Sequence, residues 1–277
     1  MCELGQVSRA GWYRQGADPS ADRDVELRDE IQKIALEWPA YGSRRITAEL
    51  RRRKWTVNRK RVQRLMRKDN LLCLRKRKFV VTTDSDHPLR VYPNLARQMT
   101  LTGIDQLWRA DITYVRLAVE FVYLAVILDA YSRRVIGWEL DSTLEDSLTL
   151  AALRMALSRR AVTPELVHHS DRGVQYASGD YTQLLQEHHI RISMSRKANP
   201  WDNAACESFM KTLKCEEVYR TEYRDQAQAR LHIGEFIERV YNQKRLHSAL
   251  DYRPPAEFER ELRAAQKKEA AARRLIA

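Results

Sequence analysis

Apolar positions recur at two different periods along this chain, and the change between them divides it. From Asp24 to Glu37 the stripe Val25, Leu27, Ile31, Ile34 and Ala35, with Trp38 just beyond, has helical spacing, and Pro39 ends it. A second helix is predicted over Ser43 to Arg53, with Ser43 as a candidate N-cap and Ile46 and Leu50 as an i, i+4 pair. After Lys54-Trp-Thr-Val57, Asn58 is placed to cap a third helix that would bury Val62, Leu65 and Met66. From about Gly103 the period becomes two. Leu107 to Val115 alternates, with Trp108, Ala110, Ile112 and Tyr114 on one face and Arg109, Asp111, Thr113 and Val115 on the other. Phe121 to Leu128 is almost wholly apolar, the pattern of a strand covered on both sides.

The remaining pattern extends this strand region. Asp129-Ala-Tyr-Ser132 turns the chain into a third strand, Arg134 to Leu140. An amphipathic helix runs from Leu144 to about Arg160, followed by a short strand from Glu165 to His169 and a helix over 179–188. Ile190 to Met194 is a fifth strand, Ser195 to Trp201 a loop, and Asn203 to Tyr219 a helix. Three strands, helix, strand, helix, strand, helix is the order of a ribonuclease H-like α/β fold, a mixed five-stranded sheet with flanking helices. The domains expected are an all-α helix-turn-helix region over 1–78 with a loose lead-in, a linker over 79–102, a sheet core over 103–222 and a helical extension over 223–277. Within the extension, 224–243 is amphipathic, 245–258 loop-like, and a last helix ends the chain.

Charge sharpens the first region. The net charge is +12, yet residues 44–78 hold sixteen Lys or Arg against Glu49 and Asp69, a net of +14. Everything else sums to −2, so one segment carries the basic character. Arg44 and Arg45 open the second helix, and Arg59, Lys60, Arg61, Arg64, Arg67 and Lys68 crowd the outer face of the third. Two short helices, a turn and a basic outer face describe a helix-turn-helix meeting double-stranded DNA. The tetrad Arg75-Lys-Arg-Lys78 adds phosphate-tracking charge. No apolar run approaches transmembrane length, so no membrane partner is expected. The four cysteines are scattered, without a Cys-x-x-Cys pair, which disfavours a zinc module and a disulfide framework.

Three carboxylates carry the candidate chemistry. Asp111 sits mid-strand, Asp171 just past a strand end, and Glu207 just inside a helix, with 59 and 35 residues intervening. Their oxygens are hard donors suited to Mg2+ or Mn2+. Two such ions roughly 4 Å apart can activate an attacking oxygen and stabilise a leaving one across a phosphodiester. Each acid also has an ordinary reading: Asp111 in an ion pair, Asp171 in a turn, Glu207 at a helix N-terminus. Asp129 and Asp202 are rival ligands. His168 and His169 read as strand-end core histidines, and Cys206 as packing. Lys211 and Lys214, at i+4 and i+7 from Glu207, share its helix face and would draw DNA phosphate to the site.

At these motifs the chain resembles the transposases of bacterial insertion sequences with a retroviral-integrase-like core, and most of all the product of the second of two overlapping frames. The residues that carry the resemblance are Trp108-Arg-Ala-Asp-Ile-Thr-Tyr114, Tyr123-Leu-Ala-Val126 with Asp129, His169-Ser-Asp-Arg-Gly-Val-Gln-Tyr176 and Asn199-Pro-Trp-Asp-Asn-Ala-Ala-Cys-Glu-Ser208. Tyr241-Asn-Gln-Lys-Arg-Leu-His-Ser-Ala-Leu250, followed by Pro254 and Phe258, extends it towards the C-terminus. The resemblance implies an active site of Asp111, Asp171 and Glu207 with two Mg2+ (or Mn2+) ions, and Lys214 as a DNA contact. It implies DNA strand cleavage and strand transfer at an element's ends, without a covalent protein intermediate. It also implies a dimer when two ends are synapsed, the bacterial cytoplasm at the nucleoid as location, and the upstream-frame protein as a partner, since no leucine-zipper segment is present here. A ribonuclease H-like nuclease and a DNA-binding regulator without activity of its own are the other readings the residues leave open.

Overall fold

Helical spacing before residue 70 and strand alternation after residue 106 resolve into two compact units, residues 1–76 and 77–277. The structure, a computed structural model, describes residues 19–71, 89–118, 120–196 and 200–276. The basic tetrad at 75–78, Cys2, Cys73 and most of the expected lead-in and linker lie outside the described residues.

The first unit contains α1 (Pro19–Glu37), α2 (Ser43–Arg52) and α3 (Arg59–Lys68). Leu27, Ile31 and Ile34 from α1, Ile46 and Leu50 from α2, and Val62, Leu65 and Met66 from α3 are buried, as are Tyr41 and Val57. Each buried aliphatic side chain of this size contributes about 1.5–3 kcal/mol. Asn58 caps α3 as expected, its side-chain oxygen accepting the Arg61 backbone N–H at 2.8 Å. Ser43 does not cap α2. It is the first helical residue, and extended Gly42 takes the cap position without a side-chain bond. The Gly42 carbonyl instead accepts from Arg45 and Ile46 at 3.0 and 3.1 Å.

The second unit is a ribonuclease H-like mixed sheet in the order β3-β2-β1-β4-β5. Strands β1 (Leu107–Arg116), β2 (Phe121–Asp129) and β3 (Val135–Asp141) form an antiparallel meander. Strands β4 (Val167–Ser170) and β5 (Arg191–Met194) run parallel to β1. Parallel neighbours need crossovers. Helix α4 (Asp146–Arg159) supplies the first, and α5 (Val174–Ala177) with α6 (Gly179–Glu187) the second. Helix α5 is a single turn that apolar periodicity does not announce.

Alternation along β1 sends its side chains into two cores. Trp108 and Ala110 join Ala125, Ile127 and the apolar side of α4. Val115 joins Val122, Leu124 and Val126 with residues of α7 (Ala204–Leu213) and α8 (Gln226–Glu235). Gly137 in β3 permits α4 to approach, because a Cβ there would collide with the Ala152 carbonyl oxygen. The two helices expected at 203–219 and 224–243 each end in a π-turn, Lys214–Val218 after α7 and Phe236–Tyr241 after α8. The second π-turn is followed by Asn242, whose amide exchanges two 3.0 Å hydrogen bonds with the backbone of Val135 and so covers the edge of β3. The expected loop at 245–258 is shorter than its sequence suggests. It contains a 3-10 turn at Ser248–Leu250, and α9 (Pro255–Ile276) begins inside it. Pro255 at the first helical position suits a ring with no N–H to place.

Candidate active site

Strand β1 brings Asp111 to the centre of the sheet, and its pairing with β4 stops at Arg109. Asp171 follows the last residue of β4, and Glu207 lies in the first turn of α7. Three contacts seat the start of α7 on β1. Asn203 Nδ2 donates to the Ala110 carbonyl at 3.0 Å, and Cys206 Sγ donates to the Arg109 carbonyl at 3.3 Å. The Arg109 guanidinium donates to the Asp202 carbonyl. Gly173 orients Asp171, its N–H reaching Oδ1 at 2.9 Å. A methyl on Gly173 would stand 3.1 Å from that same oxygen.

The three acids feel one another. Burial pushes the Asp111 carboxyl up to about 8, and the charges of Asp171 and Glu207 add to the rise. The Ile112 N–H, 3.0 Å from Oδ1, and the Lys214 ammonium oppose it. Burial also raises Glu207. Lys214 is shifted down by burial, against the stabilising charge of Asp111.

The donor set fits a hard divalent cation: three carboxylates whose repulsion a cation would relieve. Buried beside Asp111 and Asp171, the Tyr176 hydroxyl has no hydrogen-bond partner, which suits a site that takes in a hydrated ligand. Among the described residues, no three Asp, Glu, His or Cys side chains converge into a ready metal cluster.

The rival residues have other work. Asp129 is fully buried and accepts backbone N–H groups from Asp105, Tyr131 and Ser132 at 2.7, 3.1 and 2.7 Å. Asp202 binds Asn94 at 2.8 Å and Arg196 at 3.2 Å, and its carboxyl is lowered chiefly by the Arg196 side chain. His168 meets the Tyr181 hydroxyl at 2.9 Å, and His169 lies between Ser193 and Ser195 at 2.8 and 3.0 Å. Burial lowers these imidazoles to about 3 and about 4, so both are neutral core groups. Cys206 is buried and its thiol is raised well above the usual range by burial, as a packing residue would be.

In the helical unit, Arg44, Arg59, Lys60, Arg64, Arg67 and Lys68 are exposed. Arg61 differs from the sequence expectation: it is half-buried and bonds Asp24 at 2.7 and 3.0 Å. Arg45 is half-buried over the Tyr41 ring, 5.5 Å from its centroid. Arg53, the most deeply engaged base of the turn, gathers Glu30, Glu37 and Glu49 at 2.8, 3.0 and 3.0 Å. Lys211 is exposed on α7, and Lys214 stands 4.6 Å from the centroid of Tyr114, a residue that sequence reasoning did not single out.

Models described as integrase core domain match residues 102–200 and 188–255, and one described as HTH-like domain matches 22–79. The chain is 39% identical to the 31 kDa protein of insertion element IS600 from Shigella sonnei, covering 93% of this chain and 97% of that one. It is 36% identical to transposase InsF for insertion sequence IS3A from Escherichia coli (strain K12), over 94% and 92% of the two chains. The transposase for element IS904 of Lactococcus lactis is 34% identical, over 90% and 98%. The chain belongs to the insertion-sequence transposases that join an HTH-like domain to an integrase core, and is a DNA-binding polynucleotidyl transferase. Among the described residues no helix is long and apolar enough to cross a membrane.

Proposed function

We propose that Asp111, Asp171 and Glu207 are the catalytic carboxylates of a DDE transposase that cuts DNA at the ends of its element and joins the freed 3′ ends to target DNA. The observation that carries this reading is the seating of the start of α7, which bears Glu207, on the Asp111 strand through Asn203, Cys206 and Arg109, with Asp171 following the end of the adjoining strand β4. The same residues would hold Mg2+ or Mn2+, as two ions, which when bound supply Lewis-acid activation of the attacking oxygen and charge neutralisation at the leaving oxygen. Asp111 is held by a central strand, and Gly173 fixes one oxygen of Asp171. Lys214 and Lys211 draw the phosphodiester towards the acids. Two ends are held at once by two copies of the chain, with the upstream-frame protein as a further partner, at the nucleoid in the bacterial cytoplasm.

The test is strand transfer with Mg2+, using duplexes taken from the DNA on either side of the gene. Joined product is expected. Cleavage of RNA–DNA hybrid without joining would favour the nuclease reading, and binding without cleavage the regulator.

The exposed cations of α2 and α3 are proposed as the duplex-binding face. Lys60→Ala and Arg67→Ala are each expected to reduce the slope of log affinity against log salt by about 1, as loss of one phosphate contact does. Arg61→Ala is expected to leave the slope unchanged and to loosen the helical unit, because its charge is engaged by Asp24. Anisotropy titrations at several salt concentrations measure both; a full slope in Lys60→Ala and Arg67→Ala would remove this face from the interface.

A further inference from the structure

A group of aromatic side chains gathers near Lys214 without a part in the chemistry above. Tyr114 lies three residues beyond Asp111 on β1, on the other face of the strand and about 10 Å along it, or some three base steps of a stacked DNA strand. Here β1 has passed the end of its pairing with β4 and is flanked in the sheet by β2 alone. Phe121 opens β2, meets Tyr114 edge to face at 5.7 Å, and is 50% exposed. Exposed Arg116 is its direct partner across the ladder. Tyr219 is 39% exposed and close enough to Tyr114 for the phenols to interact.

The π-turn explains how Tyr219 comes to this place. Five residues along an α-helix separate side chains by about 140°. The i→i+5 bond from the Tyr219 N–H to the Lys214 carbonyl, 2.9 Å, instead returns the chain nearly to the side it left. The turn brings Tyr219 to the side of Lys214, which stands over the Tyr114 ring and also interacts with Asp111. Single exposed aromatics are ordinary. Here Tyr114 and Phe121 touch, Lys214 stands over Tyr114, and Arg116 lies across the ladder from Phe121.

We propose that Tyr114, Phe121 and Tyr219, with Lys214 and Arg116, form a stacking platform for unpaired nucleotides of the DNA strand next to the bond being cut or joined. The proposal rests on the reading of Asp111, Asp171 and Glu207 as the active site. Rings offer their faces to any base, and flanking cations take the backbone phosphates. Bases inside a duplex cannot reach the rings, so the occupant is a frayed or single-stranded end.

The test compares a fluorescein-labelled duplex bearing a six-nucleotide thymidine overhang with a blunt duplex of equal length, each titrated with the full chain. Wild type is expected to prefer the overhang. Phe121→Ala with Tyr219→Ala is expected to cut that preference by about tenfold or more while blunt-duplex affinity holds. Phe121→Trp with Tyr219→Phe should keep it. Tyr219→Ala alone, at an exposed helix end, serves if the double variant loses its circular dichroism. No overhang preference in wild type, or one that survives the alanine substitutions, overturns the proposal. So does a fall in sedimenting mass with the preference intact, which would assign the rings to a second copy. Loss of all duplex binding by wild type would instead count against the transposase reading itself.

Discussion

Asp111→Asn is expected to lower strand transfer by on the order of 10³-fold or more while duplex affinity in chelator stays within about twofold. An amide keeps the shape of the side chain and removes the charge that would hold a cation. Metal stabilisation of a phosphoryl transition state is worth several kcal/mol, and each 1.36 kcal/mol is about tenfold in rate. Asp171→Asn and Glu207→Gln should behave alike, since all three acids contribute to one electrostatic site. Gly173→Ala should give a smaller loss, because its methyl presses on Asp171 Oδ1 without removing the charge. Asp129→Asn is the control that separates site from scaffold: it weakens a buried turn that accepts three backbone N–H groups, so its loss should appear in the melting temperature. Single-turnover product yields beside thermal melts distinguish these outcomes. Full activity in Asp111→Asn would end the assignment.

Sequence is most informative where side-chain periodicity alone decides the answer. Alternation along 107–115 separates the face of Asp111 from that of Trp108, and the break at Gly173 puts Asp171 at a strand end. Burial then separates the acids further. In sequence, Asp129 and Asp202 are comparable ligands, because a carboxylate in a turn and one at a metal site can have the same neighbours. Only the folded chain shows their oxygens already engaged. Arg61 illustrates the same limit. Its partner Asp24 is 37 residues away, a pairing set by how α1 packs on α3. The π-turns are also illegible, since five-residue closure preserves an amphipathic pattern for one turn and is selected by tertiary contacts. That is why the meeting of Lys214, Tyr219 and Tyr114 has no sequence signal.

Glu259→Ala is expected to destabilise the second unit by about 3–5 kcal/mol, lowering its melting temperature by roughly 10 °C. Glu259 is 2% exposed on α9 and accepts from the Ser132 hydroxyl at 2.7 Å, from Arg134 at 2.8 Å and from Arg160 at 2.5 Å. Removing it leaves Arg160, itself 8% exposed, with the longer 3.3 Å contact to Asp105. The network leads to the proposed site: Asp105 also accepts from the Trp108 indole at 3.0 Å, at the start of the strand that carries Asp111. Replacing both partners, Glu259→Met with Arg160→Met, should recover part of the stability, because it removes both charges of the buried pair, while Asp105 loses its Arg160 contact. Burial alone would raise the Glu259 carboxyl, but Arg160, Ser132 and Arg134 together hold it below its usual range. Its contribution is therefore complete above the unfolded glutamate pKa of about 4.3 and is lost as pH falls through the lower folded value. The gap in melting temperature between wild type and Glu259→Ala should stay constant from about pH 6 to 8 and close only in stronger acid. A gap that opened with rising pH in that range, or a single variant as stable as wild type, would show that α9 does not anchor the catalytic sheet through this charge.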